Sequence, residues 1–252
     1  MHDLDSHAQR LRTQGYTVIK GVLDAEQLRQ AREALDEVFR HEEPMARSRG
    51  WKNEVYQVAY MLPQKHPHFR RFGLNPRLYP LMQELLGREC VMASLNGLTM
   101  TPGGKPQGLH IDQWETVPGA VLYINALHCL DDFRKENGCT RLVPGSQDRP
   151  FPGRDKMAAL ESEALQVEAE AGSVIAYNGG VWHAGSQNRT DQPRRAIHAY
   201  YSRSWVRPQW DFPKSISPEV AAELAEDEKR LFGFYAQPGW YDWQADRQVR
   251  AR

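Results

Sequence analysis

The sequence predicts a mainly β protein with flanking helices, built on a double-stranded β-helix of the jelly-roll or cupin-like kind. Three observations predict it. Between about residues 89 and 204, short apolar segments alternate with Gly- and Pro-containing turns, the pattern of a sandwich or barrel. Helical periodicity is confined to the segments on either side. A His-x-Asp pair, His110-Ile111-Asp112, is answered 71 residues after Asp112 by a lone His183, a separation that a neighbouring strand can close.

The elements follow in chain order. Tyr16-Thr17-Val18-Ile19 reads as a strand. Asp24 with Gln27 three residues on is a capping-box pattern, and Leu28, Ala31, Leu35 and Val38 continue at helical spacing for about four turns. Asn75-Pro76 is a second helix start, with Pro at the first position. Its apolar face is Leu78, Leu81, Met82, Leu85 and Leu86, Gly87 ends it, and Pro80 within it predicts a kink. The central strands are expected at Cys90 to Thr101, Ala120 to Leu127, Arg141 to Val143, Leu165 to Val167, Ser173 to Tyr177 and Ala196 to Ser202. Pro102-Gly103-Gly104, Pro118-Gly119, Asn137-Gly138, Pro144-Gly145 and Gly179-Gly180 punctuate them. Ser217-Pro218 caps one last helix running to about Leu231, followed by an aromatic tail of Phe232, Phe234, Tyr235, Trp240, Tyr241 and Trp243.

The expected organisation is one domain over 1–252, with a helical and strand buttress at about 1–88, the jelly-roll core at about 89–204, and the last helix and tail at about 205–252. No linker or charge block divides the chain, and its 252 residues bury a core without disulfide staples. Cys90, Cys129 and Cys139 are odd in number and form no Cys-x-x-Cys, which fits a reduced, cytoplasmic protein. Lys plus Arg and Asp plus Glu balance at 32 each, so no basic stripe points to nucleic acid. The most apolar stretch, Val121 to Leu130, is too short to span a bilayer, and the N-terminus lacks the regions of a signal peptide. The expected partner is a small-molecule substrate, with no nucleic acid and no membrane, for a monomer or homodimer.

The chemistry rests on His110, Asp112 and His183. Residues i and i+2 of a strand point to the same side, so His110 and Asp112 can reach one metal while Ile111 faces away. Two histidines and one carboxylate are the ligand set that holds ferrous iron on one face and leaves the opposite face open. An Arg soon after the second His suits a carboxylate clamp, which suggests a dicarboxylic keto acid as cosubstrate. Arg194 and Arg195 compete for that role, on opposite faces of one strand. Arg194 shares its face with Ala196, His198 and Tyr200. Alternation alone does not say which face is inward.

The residues also form a set of motifs. Gly15-Tyr16-Thr17-Val18-Ile19-Lys20-Gly21-Val22-Leu23, Leu85-Leu86-Gly87, His110-Ile111-Asp112-Gln113, Glu136-Asn137-Gly138-Cys139-Thr140-Arg141-Leu142-Val143-Pro144-Gly145-Ser146 and Trp182-His183-Ala184-Gly185-Ser186-Gln187-Asn188 occur in that order. This resembles the phytanoyl-CoA dioxygenase-like family of iron(II)- and 2-oxoglutarate-dependent oxygenases over about residues 15 to 235. Gln147 stands where the family usually has His. The resemblance implies iron(II), 2-oxoglutarate and O2, with His110, Asp112 and His183 on the metal. It places Arg194, eleven residues after His183, on the distal carboxylate of 2-oxoglutarate. Gln107 and Thr140 are further cosubstrate candidates, each weighed against an ordinary turn or strand residue.

The expected reaction is hydroxylation of an unactivated C–H bond of a small metabolite, with release of succinate and CO2. Desaturation, epoxidation and cyclisation use the same cofactors. A cupin-like metal hydrolase leaves Arg194 and the Asn-Gly and Pro-Gly-Ser motifs without a role, and the intact triad argues against a non-catalytic metal-binding module. Halogenases of the family lack the carboxylate ligand, and Asp112 is present. Trp51, Tyr56, Tyr60, Trp114 and Trp205 are candidates to line a substrate cavity, with Asn125 and Tyr123 on one strand face as weaker ones. Trp182 is expected to buttress His183. His198 and His128 are read as packed or hydrogen-bonded, and His66 and His68 as surface residues.

Overall fold

The structure, a computed structural model, describes residues 2–113 and 115–235; Trp114, Trp240, Tyr241 and Trp243 lie outside the described residues. The chain begins with α1 (His2–Thr13), β1 (Tyr16–Ile19), α2 (Ala25–Ser48), β2 (Tyr56–Ala59), the short α3 (Leu62–Lys65) and α4 (Tyr79–Leu86). The centre is β3 (Val91–Met100), β4 (Tyr123–Cys129), β5 (Thr140–Leu142), the turn-length α5 (Arg154–Met157), β6 (Leu165–Val167), β7 (Val174–Asn178), β8 (His183–Gly185) and β9 (Arg194–Ser202). It closes with α6 (Phe212–Ser215), α7 (Pro218–Glu223) and α8 (Glu226–Leu231).

The strands form two antiparallel sheets, β1-β7-β4-β9-β3-β2 and β6-β5-β8. The predicted jelly roll with helical flanks is therefore present, and β1 and β2, from the expected buttress, are the edges of its larger sheet. Ile124, Ala126, Ile197 and Ala199 point outward and pack with Leu35 of α2 and Leu81, Met82 and Leu85 of α4. Gly97 marks how close this contact is: a Cβ there would lie 2.3 Å from Leu35. The opposite face of the same strands looks towards the smaller sheet and encloses a cavity. Register decides its lining, because alternate residues point inward. Met100 pairs with Arg194, Leu98 with Ala196, Asn96 with His198 and Ser94 with Tyr200.

Several elements differ from expectation. α2 starts as predicted, with Asp24 accepting from Gln27 N at 2.9 Å and Gln27 returning the bond to Asp24 N at 3.0 Å. It then continues through Pro44 for 24 residues, because Ala46 is buried against the body and Arg47 pairs with Glu43. α4 begins at Tyr79, not at Asn75-Pro76. Asn75 instead turns the chain, its side chain accepting from Arg77 N at 2.9 Å, and Pro80 falls in the first turn, where its missing N–H costs nothing. The single helix expected from Ser217 to Leu231 is two. Leu224 is buried in an extended backbone conformation, and the Glu228 carboxylate accepts from Ala225 N at 2.9 Å to start α8 anew. Among the described residues, no helix is long and apolar enough to cross a membrane.

Candidate active site

The site is built where β8 meets the segment before Asp112. His110 and His183 exchange backbone hydrogen bonds, N to O at 3.0 and 2.9 Å, so the segment docks on β8 as an isolated bridge. This sets the two imidazoles side by side with ring centroids 4.4 Å apart. Asp112, two residues on, points to the same place: its Oδ2 lies 3.5 Å from His183 Nε2 and its Oδ1 lies 3.8 Å from His110 Nε2. One ligand atom from each of the three lies within 4.8 Å of the others.

The surroundings prepare these atoms for a metal. Nδ1 of His110 faces Gly108 O and Nδ1 of His183 faces Val181 O, both at 3.0 Å. A carbonyl only accepts, so each Nδ1 carries the proton and each Nε2 lone pair is free. Burial holds His183 neutral, with a pKa pulled down to about 4. For Asp112, burial pushes the pKa up, but His183, His110 and Asn125 outweigh it and hold the carboxyl below its usual range. Asn125 Nδ2 donates to Asp112 Oδ2 at 2.9 Å. The donor set and its geometry fit a divalent metal with one face left open.

The Gly179-Gly180 turn carries the loop that presents Asp112. Gly179 O accepts from Asp112 N at 3.1 Å and Gln113 N at 3.2 Å. A Cβ on Gly179 would lie 2.6 Å from Tyr200 Oη, and one on Gly180 would lie 2.8 Å from Gln113 Nε2. A side chain at either position would force Tyr200 or Gln113 to shift.

The two arginines separate cleanly. Arg194 is 2% exposed and faces the cavity, its guanidinium stacked 4.0 Å over the Phe133 ring. Among the described residues, its Nε and Nη1 are buried without a hydrogen-bond partner, and burial pulls its pKa down to about 10. Arg195 faces away and is spent on Asp131, at 2.9 and 3.0 Å, and on Asp36, at 2.6 Å. Gln107 and Thr140 line the same cavity as Arg194 and the three ligands. Gln107 Oε1 accepts from Gly185 N at 2.8 Å, while Thr140 pairs with Gly185 across β5 and β8.

Of the aromatic candidates, Tyr56 and Tyr60 line the cavity. Trp51 packs edge-on against Tyr60 behind the wall, and Trp205 is 68% exposed. Tyr123, on the same face of β4 as Asn125, stacks on Tyr200 and donates to Arg207 O at 2.8 Å, supporting the wall without joining its lining. Trp182 is buried under Arg149 beside His183, as a buttress. His66 and His68 are half-buried against Phe69, not on the surface, because Pro67 turns the chain back onto that ring. His128 is fully buried on the outer face of β4 against Phe72, and neither ring nitrogen has a hydrogen-bond partner among the described residues, contrary to expectation. The cavity also takes in Ser94, Asn96, Leu98, Tyr200 and Gln209, none of which the sequence singled out. Asn125 and His198 join it and contact each other at 3.3 Å.

The sequence matches the phytanoyl-CoA dioxygenase family over residues 11–196. An uncharacterized protein of Mycobacterium tuberculosis, Rv1501, is 25% identical over 245 residues, covering 93% of this chain and 88% of its own. Dioxygenase af480 of Aspergillus fumigatus is 29% identical over 183 residues, covering 69% of this chain and 57% of its own. Among solved structures, the non-heme α-ketoglutarate-dependent carbocyclase SnoK from nogalamycin biosynthesis superposes with a TM-score of 0.67 at 24% identity, over 79% of this chain and 83% of that one. HygX from Streptomyces hygroscopicus, with nickel and 2-oxoglutarate bound, superposes with a TM-score of 0.66 at 19% identity, over 81% and 89%. These structural likenesses establish the fold.

Proposed function

The chain belongs to the phytanoyl-CoA dioxygenase family, and from that premise we propose that it hydroxylates an unactivated C–H bond of a small-molecule metabolite, releasing succinate and CO2 from 2-oxoglutarate. The family's chemistry is that of iron(II)- and 2-oxoglutarate-dependent dioxygenases, in which the metal with its cosubstrate and O2 supplies the oxidant. The chain's own residues hold, orient and enclose the reactants. His110, Asp112 and His183 hold the metal through Nε2, a carboxylate oxygen and Nε2. Arg194 grips the distal carboxylate of the keto acid through its planar fork. Thr140 and Gln107 complete that end of the wall, and the two sheets exclude water.

The single observation that carries this reading is the buried, unpartnered guanidinium of Arg194 in the cavity that holds the three ligands. A buried cation without a counter-ion is costly, and a bound dicarboxylate removes the cost. The rest of the lining supports an uncharged reacting portion of the substrate. Among the described lining residues, Arg194 and Asp112 are the only Lys, Arg, Asp or Glu, and the others are neutral polar, apolar or histidine. Asp112 also weighs against halogenation, since its carboxylate fills the coordination position chloride needs. The metal-hydrolase reading leaves Arg194 without an assigned role.

Desaturation and cyclisation stand as the second reading, favoured by the shared fold of the carbocyclase SnoK. The test is anaerobic loading with Fe(II) and 2-oxoglutarate, read by the metal-to-keto-acid charge-transfer band, then exposure to air with succinate assay across a library of neutral metabolites. A protein that gives no band under these conditions lacks the proposed activity.

A further inference from the structure

The lumen face of β9 carries a second polar group toward the reactants, and its proton position can be read from its neighbours. Asn125 Nδ2 lies 2.9 Å from Asp112 Oδ2. A carboxylate only accepts, which fixes the amide: the NH2 faces Asp112 and the oxygen faces away. The same Nδ2 lies 3.3 Å from His198 Nδ1. An NH2 has two hydrogens and no lone pair to offer, so His198 Nδ1 is the acceptor. The proton of the neutral ring then sits on Nε2, which is a donor.

That Nε2–H is buried with no partner among the described residues. Its neighbours on the two flanking strands explain why. On β4 it faces Leu127, which has nothing to accept with. On β3 it faces Asn96, whose Oδ1 already accepts from Met61 N and Trp210 Nε1, both at 3.2 Å. His198 lines the cavity on the same strand face as Arg194, is joined through Asn125 to Asp112, and feels the field of Arg194 and the three metal ligands. An orphaned buried donor at this place points to a ligand that supplies an acceptor.

We infer that His198 is a cosubstrate-positioning residue, donating from Nε2 to the metal-binding end of the keto acid, with Asn125 as the positioning residue that sets its tautomer and orients Asp112. This rests on the proposed function above and goes beyond it by adding a second anchor on the cosubstrate, at the end opposite Arg194. One amide group then aligns the metal's carboxylate ligand and the donor that meets the cosubstrate, so the two cannot drift apart independently.

The test compares His198→Phe, which removes the donor, with His198→Gln, which can present an N–H near the Nε2 position. Two keto acids are titrated anaerobically into the Fe(II) protein by the charge-transfer band. These are 2-oxoglutarate and 2-oxovalerate, which has the same metal-binding end and no distal carboxylate. His198→Phe is expected to weaken both by the same factor, on the order of 10-fold or more for a hydrogen bond to a charged group. His198→Gln is expected to recover most of the loss, while Co(II) affinity without keto acid stays unchanged in both variants. Wild-type affinity in His198→Phe, or a loss no smaller in His198→Gln, overturns the assignment. A loss confined to 2-oxoglutarate also overturns it, because it would place the effect at Arg194. Absence of any band in the wild-type protein overturns the proposed function itself, a failure distinguishable from the others.

Discussion

Replacing Arg194 with Met separates a cosubstrate clamp from a structural arginine by the sign of its effect on stability. The guanidinium is fully buried with two nitrogens unpartnered, and burial pulls its pKa from 12.5 to about 10. At neutral pH the group is charged in both the folded and the unfolded chain. The depressed folded value therefore means that charge burial disfavours folding at every pH below about 10, and the penalty is relieved above it. The shift corresponds to about 3 kcal/mol. Stacking on Phe133 returns roughly 0.5–2 kcal/mol of that. Met fills similar volume without charge, so Arg194→Met should stabilise the empty protein by about 1–2.5 kcal/mol, or roughly 2–10 °C in Tm. It should also lose two charged hydrogen bonds to the keto acid, raising the Kd for 2-oxoglutarate on the order of 100-fold or more. The assay is thermal unfolding with and without 2-oxoglutarate, alongside anaerobic titration of the charge-transfer band. The wild-type protein should gain Tm with cosubstrate, and the variant should start higher and gain nothing. A variant that is less stable when empty and still binds 2-oxoglutarate would refute the reasoning.

Other perturbations test the remaining parts of the site. His183→Ala should abolish both the band and succinate formation, and full activity in that protein would remove His183 from the metal. Arg195→Lys should change 2-oxoglutarate affinity far less than Arg194→Lys, because Arg195 is engaged by Asp131 and Asp36; the reverse ranking in the same titration would move the clamp. Gly179→Ala forces a Cβ against Tyr200 Oη and should cost about 1–3 kcal/mol of stability and weaken Co(II) binding through the displaced Asp112 loop, read by urea unfolding and metal titration. Burial lowers the pKa of His128 to about 3 from 6.5, so between those values the unfolded chain takes a proton that the folded one refuses. Its contribution is intact above pH 6.5 and lost as pH falls, about 2 kcal/mol by pH 5, and urea midpoints should fall less steeply with acid in His128→Leu. With the native substrate under labelled O2, mass spectrometry should show one heavy oxygen added and no chlorine, whereas a product two hydrogens lighter would favour desaturation or cyclisation.

The candidate site was legible in the sequence because it is carried by residue types that few structural roles require at those spacings. His110 and Asp112 stand at i and i+2, and Arg194 stands at a fixed distance from His183. What was not legible depended on pairing between distant strands. β8 is three residues long, too short to show a period, yet it carries His183 and docks the His110 segment. The inward face of β9 could not be chosen until Met100 was seen opposite Arg194 and Asp131 outside Arg195. Ser94, Asn96 and Tyr200 became cavity residues only through that register. The break between α7 and α8 was hidden for another reason. Val220, Leu224, Glu228 and Leu231 are spaced as on one helix, and the break is decided by burial of Leu224 and by the local bond from Ala225 N to Glu228, not by periodicity.

The straight run of β9 turns its backbone into a measuring rod. Arg194 and His198 stand on one side of the strand with the small Ala196 between them, and a strand advances roughly 3.3 Å per residue. On the roles proposed above, the separation between Arg194 and His198 is thus written into main-chain geometry that substitution cannot stretch. A diacid one carbon shorter or longer meets the same rod at the wrong mark. The rim at the β2 edge of the sheet, where Tyr56 and Tyr60 stand, lies outside that strand. Descendants of this scaffold are free to reshape that rim for new metabolites while continuing to consume the same keto acid.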